Sequence, residues 1–220
     1  MNTKRLLFWL GFIIVLGLII WGLIAAMNKS VNSPATTGNY GTPSPIVATD
    51  HVRGPVNAPV TIIEYADFEC PACEAYEPVL EKLEAEASTT FKILYRHYPL
   101  PQHANALPAA YAAEAAGLQG KFWEMHDLLL INHTDWTEAS DPTSIFVGYA
   151  TKIGLDLNKF KTDMAGDAVK ARVQTDADES QKLGLDYTPT FFLNDKVISN
   201  PQGYDQFLSI IQAAASSTAQ

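Results

Sequence analysis

Val60-Thr-Ile-Ile-Glu-Tyr-Ala66, a short link, then Cys70-Pro71-Ala72-Cys73 opening a helical pattern: this stretch decides the fold. Its first part is β-branched and aromatic, follows Pro59, and reads as a buried strand. From Pro71 the period changes. Tyr76, Val79, Leu80, Leu83 and Ala87 recur at helical spacing, with Glu77, Glu81 and Glu84 between them. Phe91-Lys-Ile-Leu-Tyr-Arg-His97 is a second strand. A strand, a helix of about 17 residues and a strand form a βαβ unit, so the two strands are expected to be parallel. Both cysteines stand at the strand-to-helix junction. Two intervening residues at a helix start bring the sulfurs within disulfide reach. The first sulfur lies where unpaired N–H groups and the helix dipole favour a negative charge, and the thiolate is the reactive form. Pro71 suits the first helical turn, which needs no amide donor.

Downstream, residues 103–132 form an Ala-rich helical region interrupted near Gly117 and Gly120. Helices are expected over roughly Pro142–Gly154, Leu157–Met164 and Asp167–Leu183. Thr190–Leu193 and Lys196–Ile198 flank Asn194-Asp195, the pattern of a hairpin. Residues 201–215 read as a last amphipathic helix presenting Phe207, Ile210 and Ile211. The plan is a mixed αβ domain over residues 51–215, with a helical insertion at about 103–183 and a tail at 216–220. Phe122, Trp123, Met125, Leu128 and Leu129 are assigned to the helical core, and His126 to a satisfied structural or surface position. His97 and His103 flank a turn that could approach the active face, and neither is assigned a catalytic role.

Upstream, Leu6–Met27 is a run of 22 residues without a charge. As a helix it would span about 33 Å, against roughly 30 Å for a bilayer core. A cleaved signal peptide would have a shorter apolar region ending in a small-x-small site. Ala25-Ala26 after Leu23-Ile24 fits that poorly, so residues 6–27 are read as an uncleaved transmembrane anchor. Lys4 and Arg5 favour a cytoplasmic amino terminus at residues 1–5, which puts the body outside the cytoplasm, where a disulfide persists. Residues 28–50, rich in Ser, Thr, Asn, Pro and Gly, are read as a flexible tether. The chain of 220 residues has a net charge of −9, and its last 190 residues carry −12. So acidic a body repels phosphate backbones, which excludes nucleic acid as a partner.

Two cysteines leave three readings. Zinc wants four ligands; there is no second CxxC, and the five histidines show no ligand spacing. A structural bridge would close a loop of only a few residues, which contributes least stability. The redox pair is the reading favoured. No phosphate loop, nucleotide fingerprint or Ser-His-Asp arrangement is present.

Phe68-Glu-Cys-Pro-Ala-Cys73, Gly120-Lys-Phe-Trp-Glu-Met-His-Asp127 and Tyr187-Thr-Pro-Thr-Phe191 together resemble the DsbA-like thiol–disulfide oxidoreductases, nearest to their membrane-anchored members. The likeness covers about residues 50–215. It implies a thioredoxin-like α/β fold with an inserted helical subdomain. It implies that Pro189 is a cis-proline facing the active disulfide and docking substrate backbone, and that Thr188 touches and tunes the cysteine pair. Glu64 would be a buried acid handling protons for Cys73. The catalytic set expected is therefore Cys70, Cys73, Pro189, Thr188 and Glu64. No metal and no cofactor beyond the Cys70–Cys73 disulfide is expected. The resemblance further implies exported proteins with free thiols as clients and a quinone-linked membrane reoxidase as partner; the body is expected to be monomeric. A disulfide reductase or isomerase, or a membrane-tethered chaperone-like module with an inert disulfide, are the alternatives. Strongly oxidising members carry His where this chain has Ala72, and Asp67, Glu69 and Glu74 crowd Cys70 with negative charge. The Cys70 pKa is accordingly expected between the values of roughly 3.5 and 7 known for DsbA and thioredoxin, with a weaker oxidising power than DsbA.

Overall fold

A computed structural model of the chain describes residues 40–218, together with residues 12, 16 and 17. The expected anchor at 6–27, apart from those three positions, lies outside the described residues, as do residues 1–5 and most of the tether. Among the described residues no helix is long and apolar enough to cross a membrane.

Five strands form one sheet: β1 (His51–Arg53), β2 (Val60–Ala66), β3 (Phe91–His97), β4 (Thr190–Leu193) and β5 (Lys196–Ile198), in the order β1-β3-β2-β4-β5. Between β2 and β3 runs helix α1 (Pro71–Ala87). β2 and β3 are parallel, with Val60 opposite Phe91 and Ala66 opposite His97; the other pairings are antiparallel. Only Thr61 of β2 and Lys92 of β3 escape full burial. Both faces of the sheet are covered, which is why these strands read as near-continuous apolar runs.

Alternation sorts the side chains. Val60 and Ile62 pack with Leu80 and Leu83 of α1 and with Phe207 and Ile211 of α8 (Tyr204–Thr218). Ile63 and Tyr65 face the other way, onto Leu94, Leu183, Leu185 and Phe192. The same parity turns Glu64 towards α1. Its register partner Phe191 lies in the α1 cluster, which agrees.

Helices α2 (Ala106–Gly117), α3 (Phe122–Ile131), α4 (His133–Trp136), α5 (Thr143–Lys152), α6 (Leu157–Ala165) and α7 (Asp167–Leu183) lie between β3 and β4, where the insertion was expected. The buried alanines of α2 give α3, α6 and α7 a small-residue surface to pack on. Trp136, Phe146 and Phe160 fill the space around it. The hairpin turn holds Asn194 at φ 45° and Asp195 at φ 66°. A two-residue turn between twisted strands demands this left-handed geometry, and Asn and Asp tolerate it.

Two short elements were not expected: β1, with three residues, and α4, with four, are too brief to show a period. The tether also ends earlier than its composition indicates. Residues 40–50 are bound to the body: Tyr40 donates to Asp186 at 2.7 Å, and the Ser44 amide to Glu179 at 2.6 Å. Arg96 donates to the carbonyls of Ser44 (3.1 Å) and Pro45 (3.5 Å). These bonds use backbone oxygens and short polar groups, so the segment docks without any apolar pattern to announce it.

Candidate active site

Cys70 is the residue on which α1 begins. Its backbone is extended (φ −74°, ψ 120°), Pro71 opens the helix, and its carbonyl accepts from the Glu74 amide at 3.1 Å. A side chain there faces the free amides of the first turn. The Cys70 thiol is drawn down from 9.0 to about 5, chiefly by a hydrogen bond from Cys73; burial opposes this, and the Thr188 side chain and the amides of Cys73 and Ala72 reinforce it. At neutral pH Cys70 is a thiolate. Cys73, one turn further in, is buried, and its thiol is pushed well above its ordinary value by desolvation, by Cys70 and by the charge of Glu64. The pair thus divides into an outer nucleophile and an inner sulfur that keeps its proton. Both are unbridged in this structure.

The loop before β4 closes over the pair. The Thr188–Pro189 peptide is cis, and the Thr188 carbonyl lies 3.5 Å from Cys70 Sγ. Asn200 donates to the Pro189 carbonyl at 2.7 Å, which ties the loop to the far end of the hairpin.

Behind Cys73 sits a second buried acid. Glu64 is pushed well above its ordinary value by burial and by the charges of Glu77 and Glu84. Glu77, also buried, is raised to about 8, first by desolvation and then by Asp127. Sequence reasoning left Glu77 among the acids between the apolar positions of α1. Its spacing was the missed signal: four residues after Cys73, it shares that residue's face of the helix. Glu77 approaches His126 Nδ1 at 3.9 Å, and His126 meets Asp127 at 3.0 Å. His126 takes a structural, buried position, but it is not the fully satisfied histidine expected, since its Nε2 has no hydrogen-bond partner. The three side chains could gather round a cation, yet Arg53 already holds both oxygens of Asp127 (2.7 and 2.9 Å).

The acids beside Cys70 are engaged elsewhere. Asp67 accepts from the Leu100 amide (2.8 Å), the Glu69 amide (2.8 Å) and His103 (2.7 Å). Glu69 accepts from the Asn105 amide at 2.6 Å. Glu74 pairs with His133 at 3.3 Å, whose other nitrogen lies 2.9 Å from the Glu69 carbonyl. None of the three is among the main influences on Cys70. His103 thus supports the Asp67 loop, while His97 is buried against Glu114 at 2.9 Å.

The family model described as Thioredoxin matches residues 47–213. The chain belongs to the thioredoxin family. Cys70 and Cys73 stand on that scaffold at the start of α1. In fold, this thioredoxin-family chain is similar to BdbD from Bacillus subtilis, with a TM-score of 0.72, 23% identity, and coverage of 81% of this chain and 100% of that one. A thioredoxin-like oxidoreductase from Silicibacter pomeroyi gives a TM-score of 0.64 at 26% identity, over 77% of this chain and 94% of that one. α-DsbA1 from Wolbachia pipientis gives 0.70 at 20%, over 79% and 94%. In sequence the chain is 41% identical over 169 residues to a Na(+)/H(+) antiporter NhaA 3 from Salinispora tropica, covering 76% of this chain. The chain spans about a quarter of the length of the curated relatives it matches.

Proposed function

We propose that the chain donates the Cys70–Cys73 disulfide to exported proteins that carry free thiols. The observation that carries the reading is the division within the pair: an outer sulfur stabilised as thiolate at about 5, beside an inner one held as thiol. A sulfur that is stable as thiolate is a good leaving group and makes the disulfide easy to reduce.

A client thiolate attacks Cys70 Sγ. The Cys70–Cys73 bond breaks, a client–Cys70 disulfide forms, and Cys73 leaves and takes a proton. A second client thiolate then attacks the client sulfur of that mixed disulfide and releases Cys70 as thiolate. The client ends with a disulfide, and the enzyme holds two electrons as a dithiol. Glu64, turned towards α1, supplies the proton to Cys73 and recovers it when the pair is reoxidised. Thr188 and Pro189 present backbone against which the client strand docks, beside Cys70. A quinone-linked membrane partner takes the two electrons away. The working site lies outside the cytoplasm on a monomeric body, tethered through residues 6–27.

The antiporter name is not carried to this chain. The likeness covers about a quarter of that antiporter's length.

Trapping tests the reading. Cys73→Ser keeps the nucleophile and removes the inner thiol, so mixed disulfides through Cys70 should accumulate on non-reducing gels of exported proteins. They should vanish when Cys70 is also replaced. Adducts that survive in the double variant would overturn the assignment.

A further inference from the structure

A groove of about 480 Å³ runs beside the active-site helix, between α1 and the end of α3. Glu74, Ala75, Glu77, Pro78 and Glu81 form one wall, and Leu130 and Ile131 the other. Three features give it chemical character. Its apolar wall opens to solvent at Ile131, 62% exposed, with Leu130 buried behind it. Its α1 wall carries three carboxyl groups, and no basic side chain lines it. Pro78 brings no N–H to the Glu74 carbonyl one turn before it, so a helix oxygen there lacks its helical donor. A binding surface of acceptors beside aliphatic side chains is complementary to a chain that brings cationic donors beside an aliphatic group.

The groove also has a position in the reaction. Its Glu74 end lies one helical turn beyond Cys70, and His133 ties Glu74 to the Glu69 carbonyl beside that cysteine. From Glu74 to Glu81 the helix rises roughly 10 Å, the reach of about three extended residues. A polypeptide held at Cys70 by its sulfur can therefore lay its next few residues along this wall.

We infer that this groove seats the client segment flanking the reacting cysteine, and selects segments that carry Lys or Arg next to an aliphatic side chain. The inference rests on the thiol-exchange reading above and adds a client specificity to it. The cation reaches Glu81 and the Glu74 carbonyl, while the aliphatic group covers Ile131.

The test uses the full-length oxidised protein and two peptides, each with two cysteines. They are identical except for Leu-Lys or Leu-Glu at the fourth and fifth positions from the reacting cysteine, since Glu81 lies about 16 Å along α1 from Cys70. Second-order rates of peptide oxidation are measured for the unaltered protein, for Glu81→Lys, and for Asp178→Lys, which makes the same charge change at an exposed position on α7. Comparing the Lys/Glu rate ratio between proteins cancels the effect of each residue on the peptide's own thiol. The ratio should fall roughly two- to fivefold in Glu81→Lys, the size of one exposed ion pair, and stay unchanged in Asp178→Lys. High salt should also shrink it. If the ratio is the same in all three proteins, or falls equally in both variants, the groove does not select clients. Oxidation of neither peptide by any of the proteins would instead overturn the thiol-exchange reading, and the role of the groove with it.

Discussion

The thiolate of Cys70 should make the stability of the reduced protein rise with pH relative to that of its oxidised form. Folding lowers this thiol from 9.0 to about 5. A depressed acid contributes stability that is complete above its unfolded value and is lost as pH falls through its folded one. The window is therefore pH 9 down to pH 5. Linkage between those two values gives about 3 kcal/mol at pH 7 and under about 0.5 kcal/mol at pH 5. The difference, on the order of 2 kcal/mol, corresponds to roughly 4–8 °C of melting temperature in a domain of this size. Glu77, raised to about 8, titrates in the same range, but it does so in both redox forms and cancels in the comparison. Cys73, pushed above its ordinary value, stays a thiol throughout. Two measurements decide. Absorbance near 240 nm, followed against pH, should show a thiolate midpoint near 5, and Cys73→Ala should move it upward by removing its largest cause. Melting curves of both redox forms at pH 5, 6 and 7 should show the gap between reduced and oxidised widening with pH. A midpoint above pH 7, or a gap that does not move over that range, refutes the reasoning.

Glu64→Gln should change pH dependence rather than stability at acid pH. The raised carboxyl contributes stability that is complete below 4.5 and lost as pH rises through its folded value, so urea midpoints of the two proteins should be close at pH 5 and the variant should be the more stable at pH 9; parallel profiles would contradict this. Arg96→Met should cost about 3–5 kcal/mol, because it leaves the buried carboxylate of Asp50 without the guanidinium 3.0 Å away. A loss below about 1 kcal/mol in guanidinium unfolding would show that Arg172, 3.2 Å from the same Asp50, is sufficient by itself.

The fold was legible wherever a period ran long enough to be read. β2, α1 and β3 each repeat their pattern several times, and α7 ends at Leu183 because Gly184 takes the left-handed cap that other residues avoid. β1 was not legible, since three residues carry no period. Its importance comes from one side chain: Arg53 reaches Glu84 at 3.0 Å and Asp127 at 2.7 Å, far away in sequence. The docking of residues 40–50 was hidden for a different reason. It is held by the guanidinium of Arg96 on backbone carbonyls, and every residue type offers a carbonyl.

The site shows the same limit in sharper form. Sequence position alone sets Asp67, Glu69 and Glu74 against the thiolate, because all three stand within four residues of Cys70. Adjacency along a chain says nothing of direction, and at a strand-to-helix junction the backbone turns through each of these residues. Asp67 is turned onto the amides of Glu69 and Leu100 and onto His103, Glu69 onto Asn105, and Glu74 onto His133. Each carboxylate thereby spends its charge on holding the loop that presents Cys70. The acids that do reach the pair come from elsewhere: Glu64, six residues earlier on β2, acts on Cys73, and Glu77, one turn beyond Cys73 on α1, acts on Glu64. Both lie on the buried side of the junction. Burial first, and then the neighbouring Cys70 sulfur and Glu64, hold the proton on Cys73, and the Cys73 thiol is the main donor to the thiolate of Cys70. The depressed Cys70 thiol therefore rests on its buried partner sulfur and the amides of the first turn, which a count of charges adjacent along the chain does not register.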